Sequence, residues 1–403
     1  MTDVLTTEPL TFDPYDYDFH TDPYPTYSRL RAEAPVYHNP DVWFWAYSRH
    51  ADVLDALKDS ETYSSSNGVS LDPAAWGPNA HRTMSFLGMD PPRHGRMRRL
   101  VARGFTPRRV NELEPKIRRI AHHWAEAATA HDSFDFIEDF AGKFPMDVIS
   151  EMMGVPETDR AQVRTWSDLL VHREPGNRDV PQSGMEAALH LAGYYADMIA
   201  DRRKARSDDL TSALIDAEID GDHLTDDEIT SFLFLLVVAG NETTTKLLGN
   251  AWYWGNTFAD QGRKPFDDPG RIPDWIDETL RFDTSSQMLA RTTTREVDLH
   301  GITIPAGERI LLLLGSANRD ELVWDRPDVY DLDRSDTAQD LASFGLGRHY
   351  CMGHALAVLE MRIAMEELTK RIAGYDLDVA RAEWVHSVNV RGFAHLPTTI
   401  TRR

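Results

Sequence analysis

The 403-residue chain contains one cysteine, Cys351, in the run Phe344-Gly345-Leu346-Gly347-Arg348-His349-Tyr350-Cys351-Met352-Gly353. A single sulfur excludes a disulfide scaffold, a zinc finger and an iron–sulfur cluster, each of which needs several. Two readings remain: an inert buried thiol, or one thiolate with a task. The neighbours favour the task. Gly347 and Gly353 let the backbone turn tightly against something flat, Phe344 supplies an apolar wall, and His349 a polar or cationic contact. The apolar spacing of Leu356, Leu359, Ile363, Leu368 and Ile372 predicts a helix directly after the loop. Its unpaired amides and dipole favour an anion at Cys351.

A second segment breaks the rules of its own element. Thr225 and Glu228 form a capping box that launches a helix through an eight-residue apolar run, Phe232 to Ala239. That stripe ends in Gly240-Asn241-Glu242-Thr243-Thr244-Thr245, poor chemistry for a buried helix. A buried Glu242 needs a partner or a proton. A kinked core helix whose threonines bond their own backbone explains the pattern, and so does a functional site. Elsewhere, His94 and Arg98 stand at i and i+4 on one helical face, a spacing that suits gripping a carboxylate. Glu278 and Arg281 have the spacing of an ordinary i,i+3 ion pair.

Together these motifs resemble the cytochrome P450 family. The cysteine loop matches F-x-x-G-x-[HR]-x-C-x-G at Phe344, Gly347, His349, Cys351 and Gly353. The helix matches [AG]-G-x-[DE]-T at Ala239, Gly240, Glu242 and Thr243, and His94 with Arg98 matches H-x-x-x-R. The resemblance implies a mainly α fold with a minor β portion, a helical bundle around haem with small antiparallel sheets. It implies haem b (iron protoporphyrin IX) with Cys351 as axial iron ligand. His94, Arg98, Arg291 and His349 then hold the propionates, Glu242 relays protons, and Thr243 hydrogen-bonds the oxygen being activated or an ordered water. Glu278-Arg281, with Arg334 as third member, becomes a fold-supporting pair. The implied activity is hydroxylation by O2, with electrons from an external ferredoxin or flavodoxin and its NAD(P)H reductase. A peroxide-driven peroxygenase and a haem sensor are the alternatives, both disfavoured by the Glu242-Thr243 pair.

Composition agrees with one soluble unit over residues 1–403, without a fused reductase or ferredoxin module. A net charge of −22 argues against nucleic-acid binding. The N-terminus shows no signal peptide, and eight apolar residues are too few for a membrane anchor, so a cytoplasmic protein is expected. From Arg93 to Arg109 there are seven arginines and no acid. They are either a solvated helix face or, as the resemblance implies, a patch near the thiolate that steers an acidic electron donor.

The elements that position these residues read as follows. A Pro- and Tyr-rich start leads to a helix at 27–33, strands at 36–37 and 43–47, and a helix at 48–58. Residues 62–88 form a long loop able to roof a cavity. Helices fill 93–260 with breaks at Gly142, Gly154, Pro175-Gly176 and Gly221, and another helix spans Pro273 to Phe282. Strands follow around Thr292–Thr294, Val297–Leu299, Ile302–Ile304 and Ile310–Leu314, with a hairpin at Val388–Phe393. The expected cavity walls are the 62–88 loop, Leu235, Val238, Ala239, Ser285 to Leu289 and the tip at 390–393. Their apolar character implies a hydrophobic small-molecule substrate, and the ending resembles relatives that act on steroids, terpenoids or lipids.

Overall fold

The capping box forms as its spacing dictates: Thr225 Oγ1 accepts from Glu228 N at 3.2 Å, and the Glu228 carboxylate accepts from Thr225 N at 3.0 Å. From it runs a 32-residue helix, Asp226–Thr257, that buries Leu233, Val237, Leu247, Leu248 and Trp252. Each such large apolar side chain contributes roughly 1.5–3 kcal/mol when fully buried. Helices Phe144–Met153, Gln182–Lys204, Ile272–Phe282 and His354–Arg371 pack against it. Helix Pro107–Ala128 packs in turn on His354–Arg371. This computed structural model describes residues 9–102, 105, 107–171, 178, 180–334 and 341–403. Pro175 and Gly176, expected to break a helix, and Arg103 lie outside those residues.

The β portion is small and, among the described residues, divided among five sheets. Five strands are ordered Val36–Asn39, Phe44–Tyr47, Arg309–Leu313, Met288–Thr293, Tyr63–Ser64, parallel only between the second and third. Arg291 therefore sits on an interior strand, opposite Ile310. Among the described residues no helix is long and apolar enough to cross a membrane.

Three expectations change. The segment 62–88 is not all loop: Tyr63–Ser64 joins the sheet against Thr292 and Thr293, and short helical turns occupy Pro73–Ala75 and His81–Gly88. The stretch 93–260 also carries short strands, including a hairpin, Glu218–Ile219 with Asp222–His223, that turns at Gly221 (φ +80°). The C-terminal hairpin pairs Glu383–Trp384 with Phe393–His395, leaving 388–392 as its connection. That connection bonds to itself, Val385 N donating to Gly392 O at 2.9 Å, and also to another segment. Arg391 N donates to Ser285 O at 2.8 Å, and its guanidinium meets Asp283 at 2.9 Å.

The Glu278–Arg281 pair is buried and complete. One guanidinium edge, Nη2 and Nε, meets Glu278 at 2.7 and 2.9 Å, and the remaining N–H groups reach the carbonyls of Asn318, Pro327 and Val329. Arg334 adds a contact to Glu278 at 3.3 Å. A buried charge is tolerated only when its partners are this full.

Candidate active site

The cysteine loop is shaped by two glycines in left-handed backbone, Gly345 (φ +66°) and Gly347 (φ +68°). A Cβ on Gly347 would lie 3.0 Å from Leu57 O and 3.1 Å from Lys58 Cα, so the loop closes only with glycine there. Cys351 N donates to Phe344 O at 2.9 Å, and helix His354–Arg371 begins three residues later. Cys351 is deep in the protein yet keeps accessible surface, because that surface faces an internal cavity it helps to line. Burial pushes its thiol up, against the opposing pull of the Gly353 and His354 amides and the Arg98 charge. The helix N-terminus thus acts in the expected direction but does not by itself win: desolvation is the larger effect.

Around this sulfur stands a set of donors with nothing to donate to. The His94 and His349 rings lie 4.2 Å apart. Arg98 Nη2 donates to the Tyr350 carbonyl at 2.6 Å, but Arg98 Nη1, His94 Nε2 and both ring nitrogens of His349 are buried without a partner among the described residues. Arg291 is 3% exposed, and its one hydrogen bond goes to the carbonyl of its own neighbour Ala290, at 2.8 Å. Burial lowers the Arg291 guanidinium to about 10. Burial, then the Arg98 charge, lowers His94 to about 4; burial, then Arg291, lowers His349 to about 2. Unpaired buried donors are costly, and four side chains in one place ask for an anionic partner. The two carboxylates of a haem would meet that need.

The opposite wall is the long helix. The cavity, about 240 Å3, takes in Leu235, Ala239, Gly240, Thr243 and Leu247 from it. Ala239 is exposed in mid-helix because it faces this space. Thr243 Oγ1 donates to Ala239 O at 2.8 Å, the back-bond a helical threonine commonly makes, so its lone pairs are what it offers the cavity. Glu242 stands off the cavity wall. It pairs with Lys246 at 3.6 Å, and Lys246 Nζ donates to Phe393 O at 3.0 Å. Asp168, on helix Glu157–Val171, is raised to about 6 by the protein packed around it and then by the Glu242 charge, although water still reaches its side chain.

Cys351, Arg291, His349 and Thr243 thus share one cavity, with His94 and Arg98 directly behind His349 and Cys351. From the 62–88 segment come Val69, Phe86 and Leu87, and Ser285, Ser286 and Leu289 also line it. Val238 and the tip at 390–393 do not: Arg391 turns to Asp283, and Phe393 packs on Gly249. The seven-arginine face is likewise broken. Arg96 is committed to Asp222 and Glu228, at 2.7 and 2.6 Å, and the side chains of Arg108 and Arg109 lie outside the described residues. Sequence reasoning missed Lys246, whose i+4 spacing from Glu242 was the available signal. It also missed Glu360, which lines the cavity with a carboxyl raised well above its ordinary value by burial. A glutamate among Leu356, Leu359 and Ile363 was the clue.

Comparison with known proteins agrees with this geometry. The family model for cytochrome P450 matches residues 272–372. The putative cytochrome P450 123 of Mycobacterium tuberculosis is 54% identical over 394 residues, 98% of each chain. The vitamin D(3) 25-hydroxylase of Pseudonocardia autotrophica is 38% identical, over 96% of this chain and 95% of its own. The crystal structure of CYP109E1 from Bacillus megaterium in complex with corticosterone superposes with a TM-score of 0.85 at 30% identity, covering 95% of this chain and 99% of that one. With its cysteine loop and the Ala239–Thr243 stretch of its long helix facing one cavity, the chain belongs to the cytochrome P450 family of haem-dependent monooxygenases.

Proposed function

We propose that this protein hydroxylates a hydrophobic small molecule of steroid, terpenoid or lipid type, using haem b and electrons from a ferredoxin or flavodoxin served by an NAD(P)H reductase. The observation that carries the reading is the cluster of His94, Arg98 and His349, whose buried nitrogens lack partners among the described residues, with Arg291, which has one neighbouring carbonyl, beside the single sulfur of Cys351. A haem held there would supply the O2-activating chemistry of a monooxygenase, in which one oxygen atom enters a C–H bond and the other leaves as water at the expense of two electrons and two protons.

The chain's own residues do the rest. Arg291, His94, Arg98 and His349 hold the two carboxylates and so fix the orientation of the ring. Cys351, its backbone N–H tied to Phe344 O, would supply the sulfur that holds the iron. Thr243 Oγ1, its proton given to Ala239 O, positions a water as hydrogen-bond acceptor. Glu242, with 12% of its side chain exposed, takes protons from solvent and passes them toward that water, while Lys246 holds it in place. Apolar walls at Phe86, Leu87, Leu235 and Leu289 exclude bulk water and receive an apolar substrate. The corticosterone complex of the Bacillus neighbour and the vitamin D(3) activity of the Pseudonocardia relative support a steroid-like class. Exposed Arg93, Arg99 and Arg348, on the two segments that carry His94 and His349, support an acidic donor protein.

The reading is tested by reconstitution with ferredoxin, reductase and a library of apolar compounds. Hydroxylated product is expected from those that shift the spin state. Thr243→Ala should consume NAD(P)H at a similar rate while releasing peroxide in place of product. Unchanged coupling would remove Thr243 from proton control.

A further inference from the structure

Far from the cysteine loop, helix Tyr17–Thr21 meets the stretch 385–392, between the strands of the C-terminal hairpin, through one histidine from each side. The His20 and His386 ring centres lie 5.7 Å apart, and Tyr17 stacks flat on His386 at 3.6 Å. His20 is 9% exposed, and its Nε2 lies 2.8 Å from the Pro14 carbonyl. A carbonyl only accepts, so Nε2 carries the hydrogen and Nδ1 the lone pair. Nδ1 of His20 and Nδ1 of His386 are both buried without a partner among the described residues. A proton arriving at His20 therefore creates a buried N–H with no acceptor. The other groups facing it give little relief. Asp16 is exposed and caps Asp18 N at 3.0 Å; Tyr17 offers a ring face but no acceptor; Arg391 is a second cation, its Nη1 donating to His20 O. Burial lowers both imidazoles below the ordinary value of 6.5.

This contact braces the cavity. Arg391 Nη2 donates to Thr21 O at 3.2 Å, on the helix side. On the cavity side, Arg391 N donates to Ser285 O at 2.8 Å, Asn389 O accepts from Gln287 N at 2.9 Å, and Asn389 Nδ2 donates to Ser70 Oγ at 2.6 Å. Ser285, Ser286 and Val69, at or beside these bonds, line the cavity. We propose that His20 and His386 form a pH-sensitive clasp: neutral, they let helix Tyr17–Thr21 seat residues 385–392 against the cavity wall; protonated, they part, and the wall loosens. The inference rests on the monooxygenase reading only for what the cavity holds. Because the folded values lie below the unfolded one, the open form binds more protons. The clasp is therefore at full strength above pH 6.5 and weakens as pH falls through the folded values.

The test is hydrogen exchange of haem-loaded enzyme, read by mass spectrometry as protection factors, which removes the intrinsic pH dependence of exchange. Between about pH 7.5 and pH 5.5, protection of residues 14–22, 385–392 and 284–289 should fall about tenfold, while that of helix Ile272–Phe282 stays unchanged. His20→Gln keeps a donor for Pro14 O, and His386→Phe keeps a flat ring on Tyr17; the double variant should hold its protection at the lower pH. Undiminished protection in the unaltered enzyme, or a fall spread evenly over the chain, overturns the proposal, and neither result depends on the variants folding. An equal fall in the double variant overturns it too. The reduced carbon monoxide spectrum of each preparation reports separately on the haem-thiolate reading, and exchange still decides the fate of the clasp if that spectrum is abnormal.

Discussion

Arg281 and Arg291 stand ten residues apart in sequence, and both are sealed from solvent, yet their surroundings are opposite. Arg281 spends its N–H groups on Glu278 and three backbone carbonyls. Among the described residues Arg291 has one neighbouring carbonyl and no carboxylate within salt-bridge distance, and burial lowers it to about 10. A guanidinium has five donors, so one region is finished by the chain itself and the other is left for a ligand to finish. Burial of a charge does not distinguish fold support from function; the state of its partners does.

The contrast yields ordered tests. Arg281→Met removes one partner of a buried pair and strands Glu278, so it should cost about 3–5 kcal/mol in urea unfolding and reduce soluble yield. A loss below 1 kcal/mol would mean that the knot is dispensable.

The unfinished region should be acid-sensitive in haem-free protein. His94 and His349 are held neutral, with folded values of about 4 and about 2, below an unfolded value near 6.5. Depressed values mean that the unfolded chain binds more protons, so this stability is fully present above pH 6.5 and is lost as pH falls toward 4 and below. The loss by pH 4 should be on the order of 2 kcal/mol from His94 alone. It should shrink on haem loading, because carboxylates beside the rings favour their charged forms. A shallower profile in His94→Gln, with the His349 contribution left, confirms the source, and an unchanged slope contradicts it.

Arg291→Leu should show the reverse of Arg281→Met. Haem-free protein should be no less stable, since an unpaired buried charge is gone. Haem should transfer to an acceptor protein about tenfold faster, the value of one charge-assisted hydrogen bond. Lower apoprotein stability with unaltered haem transfer would recast Arg291 as structural.

Much of this was legible in the sequence where local chemistry is unusual. The cysteine loop, the capping box at Thr225 and the i,i+4 pair of His94 and Arg98 each require particular residues at fixed spacing, and the fold places them as read. What escaped depended on tertiary partners. Nothing in the arginine run separates Arg96, tied to Asp222 and Glu228, from Arg99, which stays exposed. Val238 shares its apolar character with Leu235 but faces away from the cavity. The helix N-terminus at Cys351 promised an easy thiolate, whereas enclosure raises the thiol. Short-range patterns reveal which groups are present; long-range packing decides which remain unpaired.

The central assignment, Cys351 as the sulfur that holds haem iron, has a direct spectroscopic measurement. Reduced enzyme under carbon monoxide should show a strongly red-shifted Soret band, and Cys351→Ser, purified with its haem, should lose that shift while keeping its fold by circular dichroism. Retention of the band in the serine variant would place the iron on another ligand.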